Sequence, residues 1–151
     1  MGVAGSGKST VGNLLAENIG CPFFDADDFH SMENRLKMSQ GIPLTDEDRA
    51  SWLFSLRELL INNPRCVLAC SALKEKYREI LRVHTNTYFV YLNGTYEQIK
   101  KRLQERSGHF MGAAMLESQF ATLEEPKDAL IIDIRHSPQQ IVDIIRKELN
   151  L

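Results

Sequence analysis

The chain has 151 residues, of which 43% are hydrophobic and 25% charged, and its formal net charge at pH 7 is −2. This composition is typical of one soluble domain with a core of ordinary size. Sequence-independent binding to a phosphate backbone needs a basic excess, so the charge argues against a nucleic-acid partner. No apolar run long enough for a membrane span and no signal-peptide pattern is present, which predicts a cytoplasmic protein without a membrane partner.

The first segment is a glycine-rich loop followed by a helix. Residues 2–9 match the phosphate-loop pattern G-x-x-x-x-G-K-[ST] at every fixed position, and apolar residues then recur at helical spacing up to Gly20. In such a loop, backbone N–H groups surround the β-phosphate of ATP, the lysine reaches the β- and γ-oxygens, and the following hydroxyl ligates Mg²⁺. The pattern therefore predicts ATP and Mg²⁺ as cofactors. The residues expected to bind them are Gly2, Gly5, Ser6, Gly7, Lys8, Ser9 and Thr10.

Strand and helix patterns alternate along the rest of the chain. Short apolar runs at 22–25, 66–70, 88–92 and 129–134 predict buried strands. Helices are predicted after each run, including one capped by Thr45 and one that begins with Ser137 as N-cap and Gln140 in a capping box. This alternation predicts a single α/β domain over 1–151, with a parallel sheet covered by helices on both faces.

The start of the chain departs from the usual plan of such a domain. A phosphate loop normally follows a buried strand, whereas here only Met1 precedes Gly2. We therefore expect a sheet without its first strand, with unpaired edges on the two neighbouring strands. Either upstream sequence is missing, or the chain is a truncated form with impaired folding.

Three carboxylates cluster where the second segment ends. Asp25, Asp27 and Asp28 follow a short apolar run that predicts a strand. Phosphoryl transfer to a hydroxyl needs a carboxylate near the acceptor oxygen. We expect Asp25 to support the Mg²⁺ shell through water and Asp27 to face the substrate hydroxyl. The alternative interpretation is a solvated acidic turn.

Cationic side chains that could hold an acceptor occur in two places. Arg49 lies in the first turn of a helix that begins with acidic residues, where a cation opposes the helix dipole and so suggests a ligand. Lys74 and Arg78 are one helical turn apart after a predicted strand and could both face the cleft. For each of these residues, a solvated surface charge is the competing interpretation.

A third cationic group precedes a predicted lid. Arg102 and Arg106 are four residues apart on a helix that leads into Ser-Gly-His at 107–109. We predict a mobile lid around 103–125, with these arginines over the phosphates. Surface charge is again the competing interpretation.

Taken together, these residues resemble the gluconokinases, which belong with shikimate and nucleotide kinases among the P-loop kinases. The resemblance covers nearly the whole chain. It is carried by 2–10, 25–30, Asn34, 37–38, 41–44, Asp46, Asp48, Arg49, Trp52, Leu53, 70–74, 77–78, 108–111, 118–120 and 123–126. It implies a nucleoside-monophosphate-kinase-like fold, ATP- and Mg²⁺-dependent phosphorylation of D-gluconate at its 6-hydroxyl to give 6-phosphogluconate, and a homodimer.

The resemblance also implies roles for single residues. It implies that Asp27 and His30 lie near gluconate, that Arg49 and Arg78 contact its carboxylate or hydroxyls, and that the arginines before the lid contact the ATP phosphates. The catalytic set is then Lys8, Asp27, Arg102 and Arg106. The substrate-binding set is Asp27, His30, Arg49, Lys74, Arg78, His109 and Gln119, and the metal set is Ser9 and Asp25.

Two other hypotheses remain open at this point. The chain could phosphorylate another small hydroxy-acid, since the phosphate loop does not specify the acceptor. It could also be a truncated, catalytically impaired gluconokinase-like chain that acts at most as a binding partner.

Overall fold

Strands and helices alternate in the structure in the order that the sequence predicts. The computed structural model describes residues 1–105 and 113–151. Its elements are α1 (Lys8–Ile19), β1 (Phe23–Asp25), a 3₁₀ helix (Ala26–Phe29), α2 (Met32–Ser39), α3 (Asp46–Asn62), β2 (Val67–Ala69), α4 (Glu75–Leu81), β3 (Val90–Asn93), α5 (Tyr96–Glu105), α6 (Ala113–Thr122), β4 (Leu130–Asp133) and α7 (Pro138–Leu149). Within the described residues, no helix has the length and apolar character needed to cross a membrane.

The predicted helix caps are confirmed at three helix ends. The Thr45 side chain accepts a hydrogen bond from the Asp48 backbone, and the Asp48 carboxylate accepts one from the Thr45 backbone. Ser137 and Gln140 form the same reciprocal pair at the start of α7. Gly20 ends α1 with a left-handed φ of 63°. These local signals are sufficient to set helix boundaries because each one satisfies backbone groups that a helix end leaves unpaired.

The strands form two parallel pairs rather than the one sheet that the sequence predicts. β1 pairs with β2, and β3 pairs with β4, both in parallel. Met1 lies between the pairs: its nitrogen donates to the Val90 carbonyl, and its carbonyl accepts from Leu92 N at 3.0 Å. On the other side, Gly2 N donates to Ser71 O at 3.2 Å. Met1 therefore pairs with β3 in parallel, and Gly2 connects it to the segment just after β2.

Two apolar cores lie on opposite faces of these strands. Successive residues of β2 alternate between them, with Val67 packing in one core and Leu68 in the other. The first core includes α1 and α7, and the second includes α3, α4 and Trp52. Because strand side chains alternate in direction, this division confirms that helices cover both faces.

A cavity of about 350 Å³ separates the two strand pairs. Its walls include Val67 of β2, Val90 of β3, Leu15 of α1 and Leu149 of α7, and Met1 closes one end. Among the described residues, backbone hydrogen bonds bridge the two pairs at Met1 and Gly2, which leaves this space between the remaining parts of β2 and β3. Lys8, the first residue of α1, also lines the cavity.

Candidate active site

The phosphate loop adopts a conformation that depends on its glycines. Gly5 and Gly7 have φ values of 81° and 100°. In this region of positive φ, a residue with a side chain has a strained backbone, whereas glycine does not. A Cβ on Gly5 would lie 2.9 Å from the Leu103 side chain, so the loop also packs directly on α5. Gly7 is the N-cap of α1 and has no side chain that could cap the helix. The N-terminus of α1, with its positive helix-dipole end, is therefore suited to bind an anion.

The polar groups of the loop fit the phosphates of ATP. Lys8 extends from the first position of α1, and its Nζ donates to the Val3 carbonyl at 3.0 Å. Ser6 is 1% exposed, and its Oγ has no hydrogen-bond partner among residues 1–105 and 113–151. A buried hydroxyl without a partner is costly and marks a place where a ligand atom can bind. Thr10 follows in the first turn of α1, and Gly2 begins the loop.

The two predicted metal ligands lie in direct contact. Ser9 Oγ donates to Asp25 Oδ2 at 2.5 Å, which joins the first turn of α1 to the end of β1. Asp25 Oδ1 accepts from the backbone N of Asp27 at 3.1 Å. Mg²⁺ binds oxygen ligands, keeps several waters and commonly uses one or two protein groups beside substrate phosphates. These oxygens, next to the phosphate loop, fit that ion.

Asp27 extends into the cleft from the 3₁₀ helix beside the metal pair. Its side chain is 83% exposed, yet surrounding protein atoms reduce the hydration of the carboxylate. This desolvation, and then the nearby Asp25 charge, raises the pKa of Asp27 above its ordinary value. A reachable carboxylate with a raised pKa is suited to accept a proton from a hydroxyl.

His30 is fixed beside Asp27 by an aromatic stack. Its ring lies 4.3 Å from the Trp52 ring at an interplanar angle of 11°, and Trp52 Nε1 donates to Ala26 O at 2.7 Å. Burial, followed by the charges of Arg49 and Arg35, lowers the pKa of His30 to about 4. His30 is therefore neutral near pH 7. Its Nε2 is 3.9 Å from Asp27 Oδ1, and its buried Nδ1 has no partner within the described part of the chain.

The predicted cations Arg49 and Lys74 meet around Tyr77. The Arg49 and Lys74 cationic groups each lie 5.8 Å from the centroid of the Tyr77 ring. Both already have partners, since Arg49 Nη1 donates to the Leu44 carbonyl and Lys74 Nζ donates to Asp46 Oδ1 at 3.0 Å. The structure therefore brings these two residues together, and their contact with a substrate stays a prediction.

Asp46 connects this group, and its role was not predicted from the sequence. Its carboxylate accepts hydrogen bonds from Lys74, Lys76 and the Tyr77 hydroxyl, which ties the start of α3 to α4. The bonds from Lys76, Tyr77 and Lys74 hold the pKa of Asp46 well below its usual range. The sequence signal was an acidic first turn in α3, which indicates only a favourable helix dipole.

The expectation that Arg78 faces the cleft is wrong. Its side chain is 0% exposed, and the guanidinium donates to the Ala72 and Leu73 carbonyls and to the Glu75 carboxylate. Helical spacing suggested a shared face with Lys74, but Lys74 is only the N-cap of α4 and does not share its helical geometry. Arg78 instead supports the turn between β2 and α4, and a direct substrate contact stays a prediction.

The predicted phosphate-side arginine Arg102 lies next to the phosphate loop. A Cβ on Gly7 would be 3.9 Å from Arg102 Nη1, and Arg102 Nη2 donates to the Ile134 carbonyl. Arg106 and His109 lie outside the described residues, as does the central part of the expected lid at 103–125.

Gln119 also contacts the phosphate loop. Its Oε1 accepts from Ala4 N at 2.7 Å, although the resemblance implied a substrate contact. Within the described residues, Arg102 and Gln119 thus lie against the phosphate loop, and the bond between Ser9 and Asp25 joins that loop to the end of β1. Asp27 and His30 follow β1, and the charge of Arg49 acts on His30.

The fold and this site define a P-loop kinase of small molecules. A family model described as shikimate kinase matches residues 4–149. The chain is 44% identical to the thermosensitive gluconokinase of Escherichia coli, over 97% of this chain and 83% of that protein, and 46% identical to the gluconokinase of Arabidopsis thaliana, over 96% and 87%. The crystal structure of a gluconokinase from Sinorhizobium meliloti superposes with a TM-score of 0.92 at 41% identity, covering 99% of this chain and 89% of that one. The chain belongs to the gluconokinase family.

Proposed function

We propose that this chain transfers the γ-phosphoryl group of ATP to the 6-hydroxyl of D-gluconate, giving 6-phospho-D-gluconate and ADP. The observation that carries the proposal is the contact between Ser9, which ends the phosphate-loop pattern, and Asp25, whose carboxylate also accepts from the backbone N of Asp27; such oxygens suit Mg²⁺. Donor and acceptor groups then share one cleft. The gluconokinases to which the chain is similar support the choice of acceptor.

The donor side holds and neutralises the phosphates in this proposal. Backbone N–H groups of the loop and the N-terminus of α1 bind the β-phosphate, and Ser6 Oγ gains a partner. Lys8 and Arg102 neutralise charge on the transferred group. Ser9 and, through water, Asp25 would hold Mg²⁺, which would supply positive charge to the phosphate oxygens.

Asp27 is the proton acceptor on the other side. The gluconate hydroxyl oxygen attacks the γ-phosphorus, its proton passes to the Asp27 carboxylate, and the bond between that phosphorus and the β–γ bridging oxygen breaks, so ADP leaves. The raised pKa of Asp27 makes this proton transfer more favourable. Transfer then needs no base other than Asp27.

Gluconate is held by neutral and cationic side chains beside Asp27. His30 is neutral and can exchange hydrogen bonds with sugar hydroxyls, while Arg49 and Lys74 supply positive charge for the carboxylate.

Arg106 and His109 remain predicted contacts of phosphate and gluconate. The lid and the homodimer also stay predictions; the dimer is checked by sedimentation of a variant altered at Phe54 and Ile61, exposed apolar residues two turns apart on α3.

The direct test is a coupled assay of ADP release with gluconate, shikimate and AMP as acceptors. Gluconate should give at least about tenfold higher kcat/KM than the other two, a difference of about 1.4 kcal/mol in transition-state binding. Preferential turnover of another hydroxy-acid would replace gluconate in the proposal, and release of ADP without any acceptor dependence would contradict it.

A further inference from the structure

The apex of the phosphate loop, residues 3–6, is held by two helices that are distant in sequence. On one side, Gly5 packs so closely on α5 that an added Cβ would meet Leu103 at 2.9 Å and Ile99 at 3.2 Å. On the other side, Gln119 of α6 bonds to the backbone N–H of Ala4 at 2.7 Å, across 115 positions of sequence. The apex is therefore positioned by contacts outside the loop itself.

The hydrogen bonds of the apex converge on a single peptide group, the one between Val3 and Ala4. Its carbonyl accepts from Lys8 Nζ at 3.0 Å and from Ser6 N at 3.3 Å. Its N–H donates to Gln119 Oε1. A peptide group is planar, so a bond that fixes the direction of the N–H also fixes the direction of the carbonyl. By fixing the direction of this peptide group, Gln119 also fixes the direction of the Val3 carbonyl to which the Lys8 ammonium donates.

The helix that carries Gln119 is itself firmly anchored. Leu116 is 2% exposed and belongs to the core with α1, and Phe120 meets the Tyr96 ring edge-on at 5.6 Å between centroids. Just after α6, Glu124 N donates to Leu73 O at 2.8 Å. Because the backbone of α6 is already fixed, the hydrogen bond that Gln119 accepts orders only the Gln119 side chain. A group held on a rigid helix in this way is suited to positioning its partner.

We propose that Gln119 is a positioning residue for the ATP side of the reaction. It holds the Val3–Ala4 peptide so that the Val3 carbonyl, and with it the Lys8 ammonium, is in position for phosphate before ATP arrives. This proposal rests on the proposed kinase function, and it differs from the role that the resemblance implies, a contact between Gln119 and gluconate.

The test replaces Gln119 with Met, which has a similar length but no acceptor oxygen. A matched control is Gln140→Met, because Gln140 Oε1 accepts a bond of the same kind from Ser137 N at 2.8 Å, at the start of α7. Binding of a fluorescent ATP analogue is measured without gluconate, and KM for gluconate and the melting temperature are measured in parallel. Gln119→Leu serves as a second variant if the Met variant is poorly folded.

Gln119→Met should weaken binding of the ATP analogue by about 5- to 30-fold, as expected for one lost hydrogen bond that leaves the Ala4 N–H without its acceptor, and should leave KM for gluconate within about twofold. Gln140→Met should leave ATP binding unchanged. Unchanged ATP binding in Gln119→Met would overturn the proposal, and an accompanying rise in KM for gluconate would assign Gln119 to the substrate instead. Because ATP binding is measured without an acceptor, a wrong gluconate assignment would not affect this outcome.

Discussion

The two sides of the cleft are built in different ways. The donor side is centred on one continuous segment, residues 2–10, in which backbone groups and glycine conformations form the phosphate cradle; Arg102 of α5 and Gln119 of α6 join it from elsewhere in the described part of the chain. The acceptor side combines side chains from separate elements: Asp27 and His30 follow β1, Arg49 lies on α3, and Lys74 begins α4. The backbone of the phosphate cradle is specified by a local pattern and needs only a few contacts from α5 and α6 to position it, whereas a site of dispersed side chains depends on tertiary contacts for every member. Each prediction below tests one part of that contrast.

The largest effect is expected at the donor side. Lys8→Met keeps the length of the side chain and removes its charge, so kcat should fall by at least about 10³-fold, because the developing charge on the phosphoryl group loses its nearest cation. Steady-state kinetics measure this loss, and circular dichroism checks that the fold persists. A reduction of less than about tenfold would exclude Lys8 from transition-state stabilisation.

On the acceptor side, Asp27→Asn should lower kcat by about 10²- to 10³-fold and leave KM for gluconate nearly unchanged, since only the proton acceptor is lost. Asp28→Asn is the matched control, because Asp28 is the next residue and its side chain is exposed. The wild-type rate should fall in acid through a pKa above the ordinary aspartate value, as the raised pKa of Asp27 requires. Equal losses in both variants would contradict the assignment.

The group around Asp46 tests whether the acceptor cations need internal support. Asp46→Asn weakens the hydrogen bonds that Lys74, Lys76 and Tyr77 donate to this side chain. The two lysines should then lose their fixed positions, and KM for gluconate should rise about tenfold. Glu47→Gln, one residue further on and exposed, is the control. If KM stays within about twofold, Asp46 serves only to join α3 to α4.

The smallest effect concerns stability and pH. The pKa of His30 is lowered to about 4 in the folded chain, so the unfolded chain, with an ordinary value near 6.5, binds the proton more strongly. The contribution of His30 to the free energy of unfolding is complete above pH 6.5 and is lost as the pH falls towards 4. His30→Phe keeps the stack on Trp52 without a titrating group. Its melting temperature should therefore decline less than that of the wild type over this range, and parallel declines would argue against the lowered pKa.

The same contrast explains what could be predicted from the sequence. The phosphate loop, the caps at Thr45 and Ser137 and the closeness of Ser9 to Asp25 follow from local patterns and from the rule that parallel strands deliver their ends to one edge. Helical and strand periodicity also predicted the order of elements. Each of these features involves residues near in sequence or a general rule of α/β folds.

Other features depend on pairings that no local pattern encodes. Asp46 and Lys74 are 28 positions apart, and Ala4 and Gln119 are 115 apart. The burial of Arg78 depends on the turn after β2, whose carbonyls accept its hydrogen bonds. The separation of the strands into two pairs, which backbone bonds in the described part of the chain join at Met1 and Gly2, is likewise not shown by a pattern of apolar runs.

The most direct test of the central claim is identification of the product. The wild-type chain is incubated with ATP, Mg²⁺ and D-gluconate, and the products are examined by phosphorus NMR and mass spectrometry, with the Lys8→Met variant as a control. The account predicts one new phosphomonoester, 6-phospho-D-gluconate, formed in equal amount to ADP by the wild type and nearly absent with the variant. ADP formed without a phosphorylated gluconate, or equal product from both proteins, would contradict it.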